Sequence, residues 1–278
     1  MKIASYVANG EASYGAIVGD GIVDLKARLG FPTLRAAIAH DALAGLDLAD
    51  AKPTLGLSDI ALTVPLPDSE KIICIGRNYK GHVAEGNSVL PKTPSTFLRL
   101  HRSFVDPGQP LIRPRLSDQF DFEGELALVI GKPGRHIDRR DAYAHIAGYT
   151  CLQEGSIRDY QFDHGLSVGK NFSGTGSIGP WFVTADEIPD PTALTLTTTL
   201  NGVEVQRTKT DDLIFDIPHI IAYISGFTEL VPGDIISTGT PEGVGFARKP
   251  PLWLKPGDMI EVEISGIGLL RNPVIAER

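Results

Sequence analysis

Short apolar stretches separated by turn residues fill the first part of the chain. Thr33 stands directly before an apolar segment at 34–40, in the position of a helix N-cap. Other stretches have the length and character of short strands, and they lie at 3–7, 14–18 and 22–24. A Leu- and Pro-rich passage then leads into a different pattern. We therefore predict a small N-terminal α/β domain at residues 1–66 and a larger domain at 67–278.

The larger domain alternates strand-like segments with tight turns. Residues 126–130 are apolar at every position, which predicts a strand that is covered on both faces. Asn201 and Gly202 separate two strand-like segments and form a strong signal for a two-residue hairpin. The two segments that flank this turn lie at 194–200 and 203–208, and a further strand-like segment lies at 71–75.

Helix-like segments are few in the larger domain. One is predicted at 141–147 and another at 217–225, the second with Asp216 as its cap. Pro-Gly-Asp turns at 232–234 and 256–258 each lead into a further strand. The pattern predicts an α+β fold that is mainly β and closes on itself as a roll or distorted barrel.

Composition narrows the class of protein. Acidic residues outnumber basic ones 34 to 26, and no block of Lys and Arg forms a phosphate-binding surface, so no nucleic acid partner is expected. Cys74 and Cys151 lie in apolar stretches, where reduced and packed thiols are expected. The N-terminus has no apolar region of signal-peptide length, and no long apolar window follows. We therefore expect a cytoplasmic protein with no membrane partner.

Glu123 and Glu125 form the first candidate for chemistry. They lie two residues apart at the start of a predicted strand, so their side chains project from the same face. Ala127 and Val129 follow on that face and are apolar. Two carboxylates at the edge of an apolar face repel each other and lose hydration, so they need a cation or one must be protonated. Oxygen ligands favour Mg²⁺, Mn²⁺ or Ca²⁺ over zinc; a solvated strand end is the alternative.

His82 and Glu85 form a second candidate. Residues three apart lie on one side of a helical turn, so the carboxylate can orient the imidazole and raise its basicity. Such a pair would serve as a general base. An exposed helical pair without a catalytic role is the alternative, and no second histidine gives the spacing of a zinc protease.

A third cluster combines anionic, cationic and amide side chains over residues 153–171. The set suits a small anionic substrate lying beside a metal, and a structural salt-bridge network is the alternative. Its members are Glu154, Arg158, Gln161 and Lys170.

Two glycine-rich segments are less informative. Residues 174–179 fit G-x-G-x-x-G, but Pro180 and Trp181 follow and no strand-then-helix context is present, so a dinucleotide site is not predicted there. The loop at 238–245 offers amides and hydroxyls that could receive a carboxylate, or it is only a tight turn.

These segments form an ordered series along the chain. The series is G-R-N-Y-K-G-H-V-A-E at 76–85, D-F-E-G-E-L-A-L-V-I-G at 121–131, G-Y-T-C-L-Q-E-G-S-I-R-D-Y-Q at 148–161, G-K-N-F at 169–172, G-P-W at 179–181 and T-G-T-P-E-G-V-G at 238–245. In this order and approximate spacing the motifs resemble the fumarylacetoacetate hydrolase family. The likeness runs from about residue 71 to the C-terminus, while residues 1–66 match only loosely the small N-terminal domain of many members.

The resemblance implies a mixed β-roll catalytic domain, usually homodimeric, with one Mg²⁺ or Mn²⁺ held by three acidic residues. Glu123 and Glu125 match the first two ligands. The third is usually the Asp of an N-D-x-S-x-R-D motif, and Glu154 occupies that position in this chain. The longer side chain still supplies a carboxylate, but it displaces the ion or the backbone by about one methylene.

The resemblance also implies roles for the polar residues around the metal. It matches His82 and Glu85 to a water-activating pair on a segment that orders over bound substrate. The residues matched to substrate binding and oxyanion stabilisation are Arg158, Gln161, Lys170 and Thr240.

The implied reaction is hydrolysis of a carbon–carbon bond in an acylpyruvate or related β-diketo acid, such as fumarylpyruvate or maleylpyruvate, in aromatic catabolism. The pair of His82 and Glu85 would deprotonate water for attack on the distal carbonyl, and Lys170 and Gln161 would stabilise the oxyanion. The nearest alternative is oxaloacetate-type decarboxylation or isomerisation of an unsaturated 2-keto or 2-hydroxy dicarboxylate. A non-catalytic protein that binds small anions is a further alternative.

Overall fold

A computed structural model of the chain describes residues 1–86 and 88–278. In chain order its strands are β1 (Lys2–Ala8), β2 (Glu11–Val18), β3 (Gly21–Asp24), β4 (Leu55–Gly56), β5 (Ala61–Leu62), β6 (Ile72–Gly76), β7 (Ser95–Leu98), β8 (Phe104–Val105), β9 (Leu111–Arg113), β10 (Phe120–Asp121), β11 (Gly124–Ile130), β12 (Ile146–Gln153), β13 (Ser156–Ile157), β14 (Gly176–Thr184), β15 (Thr195–Leu200), β16 (Val203–Lys209), β17 (Ile235–Ser237), β18 (Met259–Ile264) and β19 (Gly268–Ala276). The α-helices are α1 (Leu25–Leu29), α2 (Leu34–Ala39), α3 (Lys80–Glu85), α4 (Arg158–His164), α5 (Leu166–Gly169) and α6 (Ile217–Phe227).

A large mixed sheet organises the molecule. Its main path runs β4-β3-β2-β1-β14-β12-β11-β17-β6-β7, and most of its pairs are antiparallel, whereas β17 and β6 are parallel. A second sheet has the order β16-β15-β18-β19-β9, and β10 pairs with β13. This architecture confirms the predicted α+β fold, mainly β, because long mixed sheets and short helices dominate the chain.

Strand β11 runs through the centre of the large sheet and is buried on both faces. Leu126, Leu128 and Ile130 belong to a core shared with α6 and the second sheet. Ala127 and Val129 point into the opposite core, where the N-terminal elements pack. The alternation confirms the prediction from the continuous apolar run at 126–130, since every side chain of the strand finds an apolar neighbour.

The N-terminal elements extend the large sheet. Ile3 of β1 pairs with Phe182 of β14, so the first strands continue the same hydrogen-bonded layer. The Thr33 hydroxyl accepts a hydrogen bond from the Ala36 N–H at 3.1 Å, which confirms the predicted N-cap of α2. The division of the chain at residue 66 stays a prediction.

The local signals for turns and helices were mostly confirmed. Asn201 and Gly202 have φ values of 54° and 78°, as a hairpin of type I′ requires between β15 and β16. Asp216 accepts a hydrogen bond from the His219 N–H at 2.8 Å and caps α6. Neither the G-x-G-x-x-G segment nor its surroundings form a strand-then-helix unit, because β14 begins within it, at Gly176.

The prediction of a helix at 141–147 was wrong about where the helical segment ends. A 3₁₀ segment spans Arg139–His145, and Ile146 already belongs to β12. Ile146 pairs with Ile130 of β11, so cross-strand hydrogen bonding and burial between two cores outweigh the local helical pattern.

Both cysteines are buried and free, as predicted. None of the helices in residues 1–86 and 88–278 has the length and apolar character needed to cross a membrane.

Candidate active site

The order of the central strands brings three acidic residues together. Glu125 lies on β11, and Glu123 immediately precedes that strand. Glu154 follows β12, the antiparallel neighbour of β11, and its N–H donates to the Glu123 carbonyl at 2.8 Å. On the other side of β11, the Gly239 N–H after β17 donates to Glu125 Oε2 at 2.9 Å. Hydrogen bonding between neighbouring strands therefore fixes all three carboxylates.

The cluster of Glu123, Glu125 and Glu154 has the donor atoms of a site for a hard cation. One carboxylate oxygen from each lies within 4.8 Å of the others, and the residues are 4%, 1% and 1% exposed. Burial and the neighbouring Glu154 and Glu123 raise the pKa of Glu125 well above its usual value. Glu154 Oε1 has no hydrogen-bond partner among the described residues. Three buried carboxylates with one unpartnered oxygen fit a divalent cation.

Three cationic side chains border the cluster, and one of them is the buried Arg99, whose Nη1 lies 4.0 Å from Glu154 Oε1. Lys170 Nζ lies 2.7 Å from Glu123 Oε2 and 3.1 Å from Glu154 Oε2. Arg158 donates to Glu123 Oε1 at 2.5 Å and to Asp121 Oδ2 at 2.8 Å. Burial alone would favour the neutral form of Glu123, but the charges of Lys170 and Arg158 outweigh it and hold its pKa well below the usual range. Glu123 is therefore ionised by its two ion pairs, whereas Glu125 forms no ion pair with a cationic side chain among the described residues.

His82 and Glu85 lie on α3 and form the predicted pair. His82 Nδ1 is 2.8 Å from Glu85 Oε1, and because a carboxylate only accepts, Nδ1 carries the proton. The Gly243 N–H donates to the second carboxylate oxygen of Glu85 at 2.7 Å. The glycine-rich loop thus holds Glu85, Glu85 holds the imidazole, and Nε2 is left free to accept a proton.

A cavity of about 330 Å³ joins these groups. The predicted site residues that line it are His82, Glu123, Glu125, Glu154, Arg158, Gln161, Lys170 and Thr240. Glu85 is not among the lining residues, and it reaches the site only through its hydrogen bond with His82. The structure therefore brings together every residue of the predicted site, although their roles stay predictions.

The positions of Gln161 and Thr240 limit what each can offer. Gln161 Oε1 accepts from Arg158 at 2.9 Å, which leaves its amide NH₂ for a substrate. The Thr240 hydroxyl donates to the Gly124 carbonyl at 3.0 Å and accepts from Gln206 Nε2 at 2.9 Å. Its single proton is therefore already engaged, so the hydroxyl can meet a substrate only as an acceptor unless that bond breaks.

Sequence reasoning missed two residues that hold the site in place. Asp121 orients Arg158 and also accepts from the Gly245 N–H at 2.7 Å, which ties the glycine-rich loop to the metal-binding strand. Gln206 is 2% exposed and bonds the Gly124 N–H, the Thr240 hydroxyl and the Pro241 carbonyl. Asp121 starts the D-F-E-G-E motif and could have been noticed, whereas nothing in its own segment distinguishes Gln206.

Comparisons with known proteins place the site in context. The model of the fumarylacetoacetate (FAA) hydrolase C-terminal region matches residues 71–275. A mitochondrial oxaloacetate tautomerase of Xenopus laevis is 42% identical over 224 residues, which are 80% of this chain and 70% of that protein. The solved structure of a fumarylacetoacetate hydrolase from Exiguobacterium antarcticum is 34% identical, with a TM-score of 0.89 and full coverage of both chains.

A further solved structure bears on the metal. It is a maleylpyruvate hydrolase from Sphingobium in complex with manganese(II) and pyruvate, 30% identical, with a TM-score of 0.83 and full coverage of both chains. The presence of a divalent ion in that relative agrees with the buried acidic cluster of this chain. All the site residues described above lie within the segment matched by the family model.

Proposed function

The chain belongs to the fumarylacetoacetate hydrolase family, and we propose that it is a metal-dependent enzyme that interconverts the keto and enol forms of a short 2-keto acid such as oxaloacetate. One observation carries the proposal. The buried cluster of Glu123, Glu125 and Glu154 shares a single cavity with His82, whose free ring nitrogen can accept a proton. Enolisation needs these two elements together, a centre that holds negative charge and a base. The tautomerase name of the Xenopus laevis relative supports this reading.

The three glutamates would hold a single Mg²⁺ or Mn²⁺. When bound, the ion supplies Lewis-acid stabilisation of the negative charge that develops on a 2-keto oxygen. Lys170 lies against two of the glutamates and can hydrogen-bond the same oxygen, as can the free amide group of Gln161. Arg158 keeps Glu123 ionised and in place through its short contact with that carboxylate.

His82 moves the proton. Nε2 takes a proton from the carbon beside the keto group, and the electron pair of the broken C–H bond moves to the keto oxygen. The same nitrogen then returns the proton to that oxygen, which yields the enol and restores the neutral imidazole. Glu85 stabilises the transient imidazolium, because its Oε1 lies 2.8 Å from Nδ1. No water takes part in this sequence, so its atoms balance without a co-reactant.

Hydrolysis of an acylpyruvate is the second candidate. The same pair of His82 and Glu85 can deprotonate a water, and the maleylpyruvate hydrolase with bound pyruvate shares the fold over the full length. We rank it below tautomerisation because the tautomerase relative has the higher identity, 42% against 30%. This order reverses the preference drawn from the motifs alone.

Parallel assays distinguish the two reactions. Loss of enol oxaloacetate is followed by ultraviolet absorbance with Mg²⁺ or Mn²⁺, with excess chelator, and with the metal but no enzyme. Pyruvate release from acylpyruvates and carbon dioxide release from oxaloacetate are measured on the same preparation. We expect metal-dependent acceleration of enol loss over the metal-only control. Acceleration of acylpyruvate cleavage alone would transfer the assignment to hydrolysis, and carbon dioxide alone to decarboxylation.

A further inference from the structure

Arg77 is a cationic residue of the cavity that the proposed mechanism does not use. It follows the end of β6 and lines the cavity, but unlike the buried glutamates it is exposed. Its guanidinium makes no hydrogen bond or ion pair with any residue in 1–86 or 88–278. Arg77 therefore lies at the solvent side of the cavity, with its charge available to a ligand.

The backbone at Arg77 is held in an unusual conformation. Its φ is 56°, in the left-handed region that a residue with a long side chain rarely adopts. The next residue is fixed on three sides: Asn78 donates to the Phe215 and Thr238 carbonyls and accepts from the Phe215 N–H. Surroundings that enforce a costly backbone conformation fix the direction in which the side chain leaves the chain.

The charges that line the cavity indicate what Arg77 can bind. Lys170 and Arg158 are both engaged with the buried acidic cluster, whereas Arg77 is not. Arg77 is therefore the one cationic lining side chain, among residues 1–86 and 88–278, that is not paired with a carboxylate. A second carboxylate of a substrate supplies that partner, whereas a monocarboxylate bound at the glutamates leaves the charge of Arg77 unmatched.

We propose that Arg77 is a specificity-determining residue that binds the second carboxylate of a dicarboxylate substrate at the solvent side of the cavity. The guanidinium fork suits bidentate binding of a carboxylate. Ser88 and Ser95 also line the cavity, so their hydroxyl oxygens are within the space that a ligand would fill. The assignment rests on the proposed function, because it takes the 2-keto acid end of the substrate to lie at the buried glutamates.

Binding of two unreactive ligands tests this assignment. Malate carries both carboxylates, and 2-hydroxybutyrate has a methyl group in place of the second one. Calorimetry with Mg²⁺ present measures both ligands on the wild type, on Arg77→Met and on Lys80→Met. Lys80 is the matched control, since it is an exposed cation three residues away that lies outside the cavity lining.

We expect Arg77→Met to weaken malate about 10-fold or more, as loss of a charge-assisted contact does, and to leave 2-hydroxybutyrate unchanged. Lys80→Met should change neither. Equal weakening of both ligands, no weakening of malate, or equal affinity of the wild type for both would overturn the assignment. The readout requires no turnover: if malate selectivity depends on Arg77 but oxaloacetate is not converted, the proposed reaction fails while the role of Arg77 stands.

Discussion

His82 is hydrogen-bonded to Glu85 through Nδ1, and its side chain lines the cavity. It lies outside the cluster of candidate metal ligands. We therefore expect His82→Ala to lower the tautomerisation rate by about 10²–10⁴-fold, the range for loss of a general base, with Mn²⁺ affinity unchanged. Steady-state rates and electron paramagnetic resonance of bound Mn²⁺ measure the two quantities. A parallel loss of Mn²⁺ binding would show that His82 supports the metal site instead.

Glu154 occupies the position where the family usually has Asp, and its two oxygens have different surroundings. Oε2 accepts from Lys170, whereas Oε1 has no hydrogen-bond partner among the described residues and only a longer ionic contact with Arg99 at 4.0 Å. We expect Glu154→Gln to weaken Mn²⁺ at least about 10-fold, because the amide removes a charge from the ligand set. Glu154→Asp keeps the charge and should retain more affinity than Glu154→Gln. Calorimetric titration with Mn²⁺ measures the affinity of each variant. Unchanged affinity in Glu154→Gln would show that Glu154 is not a metal ligand.

Individual residues show how far sequence reasoning reaches. The i, i+2 spacing of Glu123 and Glu125 predicts that they share a face, and the structure places both at one cavity. Nothing in that spacing predicts that Glu154 joins them, and only the family resemblance assigned Glu154 to the metal. Gln206 shows the opposite limit, because a buried glutamine with all its hydrogen bonds satisfied looks like any surface glutamine in a sequence.

At the scale of elements, β11 packs closely against β15 at one glycine. A Cβ on Gly124 would lie 2.1 Å from Thr198 Oγ1, a distance that forces the threonine side chain or one of the strands to move. We expect Gly124→Ala to cost about 1–3 kcal/mol of unfolding free energy, as overpacking does, and to weaken Mn²⁺ because both neighbours of Gly124 are candidate ligands. Urea unfolding and Mn²⁺ titration measure these effects.

The second strand supplies the control for this prediction. Thr198 Oγ1 is buried without a hydrogen-bond partner, so Thr198→Ala alone should cost only about 1 kcal/mol for the lost packing. The double variant Gly124→Ala/Thr198→Ala should recover part of the stability and Mn²⁺ affinity lost in Gly124→Ala. Additive losses in the double variant would contradict the steric explanation.

The elements also show why some parts of the fold could be predicted and others could not. The strand at 126–130 and the hairpin at Asn201 carry their signals locally, in an apolar run and in turn residues. The C-terminal end of the segment at 141–147 does not, because its conformation depends on pairing between Ile146 and Ile130. Helices α4 and α5 position Arg158 and Lys170, yet each is too short to show a clear apolar period.

At the scale of the whole molecule, the site depends on strand order. Glu125 and Glu154 come from antiparallel neighbours, and the loop that follows β17 reaches both Glu125 and Glu85. The sequence taken alone predicts the candidate side chains but not the order of the strands, because cross-strand pairing joins residues that lie far apart in the chain. The cytoplasmic location and the homodimer stay predictions, and the Xenopus laevis relative carries a mitochondrial name.

The buried acidic cluster makes the stability of the whole protein depend on a divalent ion. Without one, Glu123, Glu125 and Glu154 either repel one another or share a proton that is bound at a free-energy cost, in a site that water barely reaches. Mg²⁺ or Mn²⁺ at a hundredfold excess over its Kd should add about 2.7 kcal/mol. For a chain of this size the melting temperature should then rise by roughly 5 °C. Scanning calorimetry with metal, with chelator, and with Na⁺ at equal ionic strength measures the shift.

Glu125→Gln separates ion binding from a general salt effect. Glu125 has no ion pair with a cationic side chain among the described residues, and its Oε2 accepts from Ser237 and the Gly239 N–H, bonds that a glutamine oxygen can also accept. Because the pKa of Glu125 is raised, the metal-free protein at neutral pH either binds a proton there or holds a buried charge, and both cost free energy. A neutral glutamine avoids that cost, so Glu125→Gln should melt at a higher temperature than the wild type in chelator. It should also lose most of the shift on adding Mn²⁺, because one ligand charge is gone. If the variant is instead less stable in chelator and keeps the full shift, the three carboxylates do not share an ion.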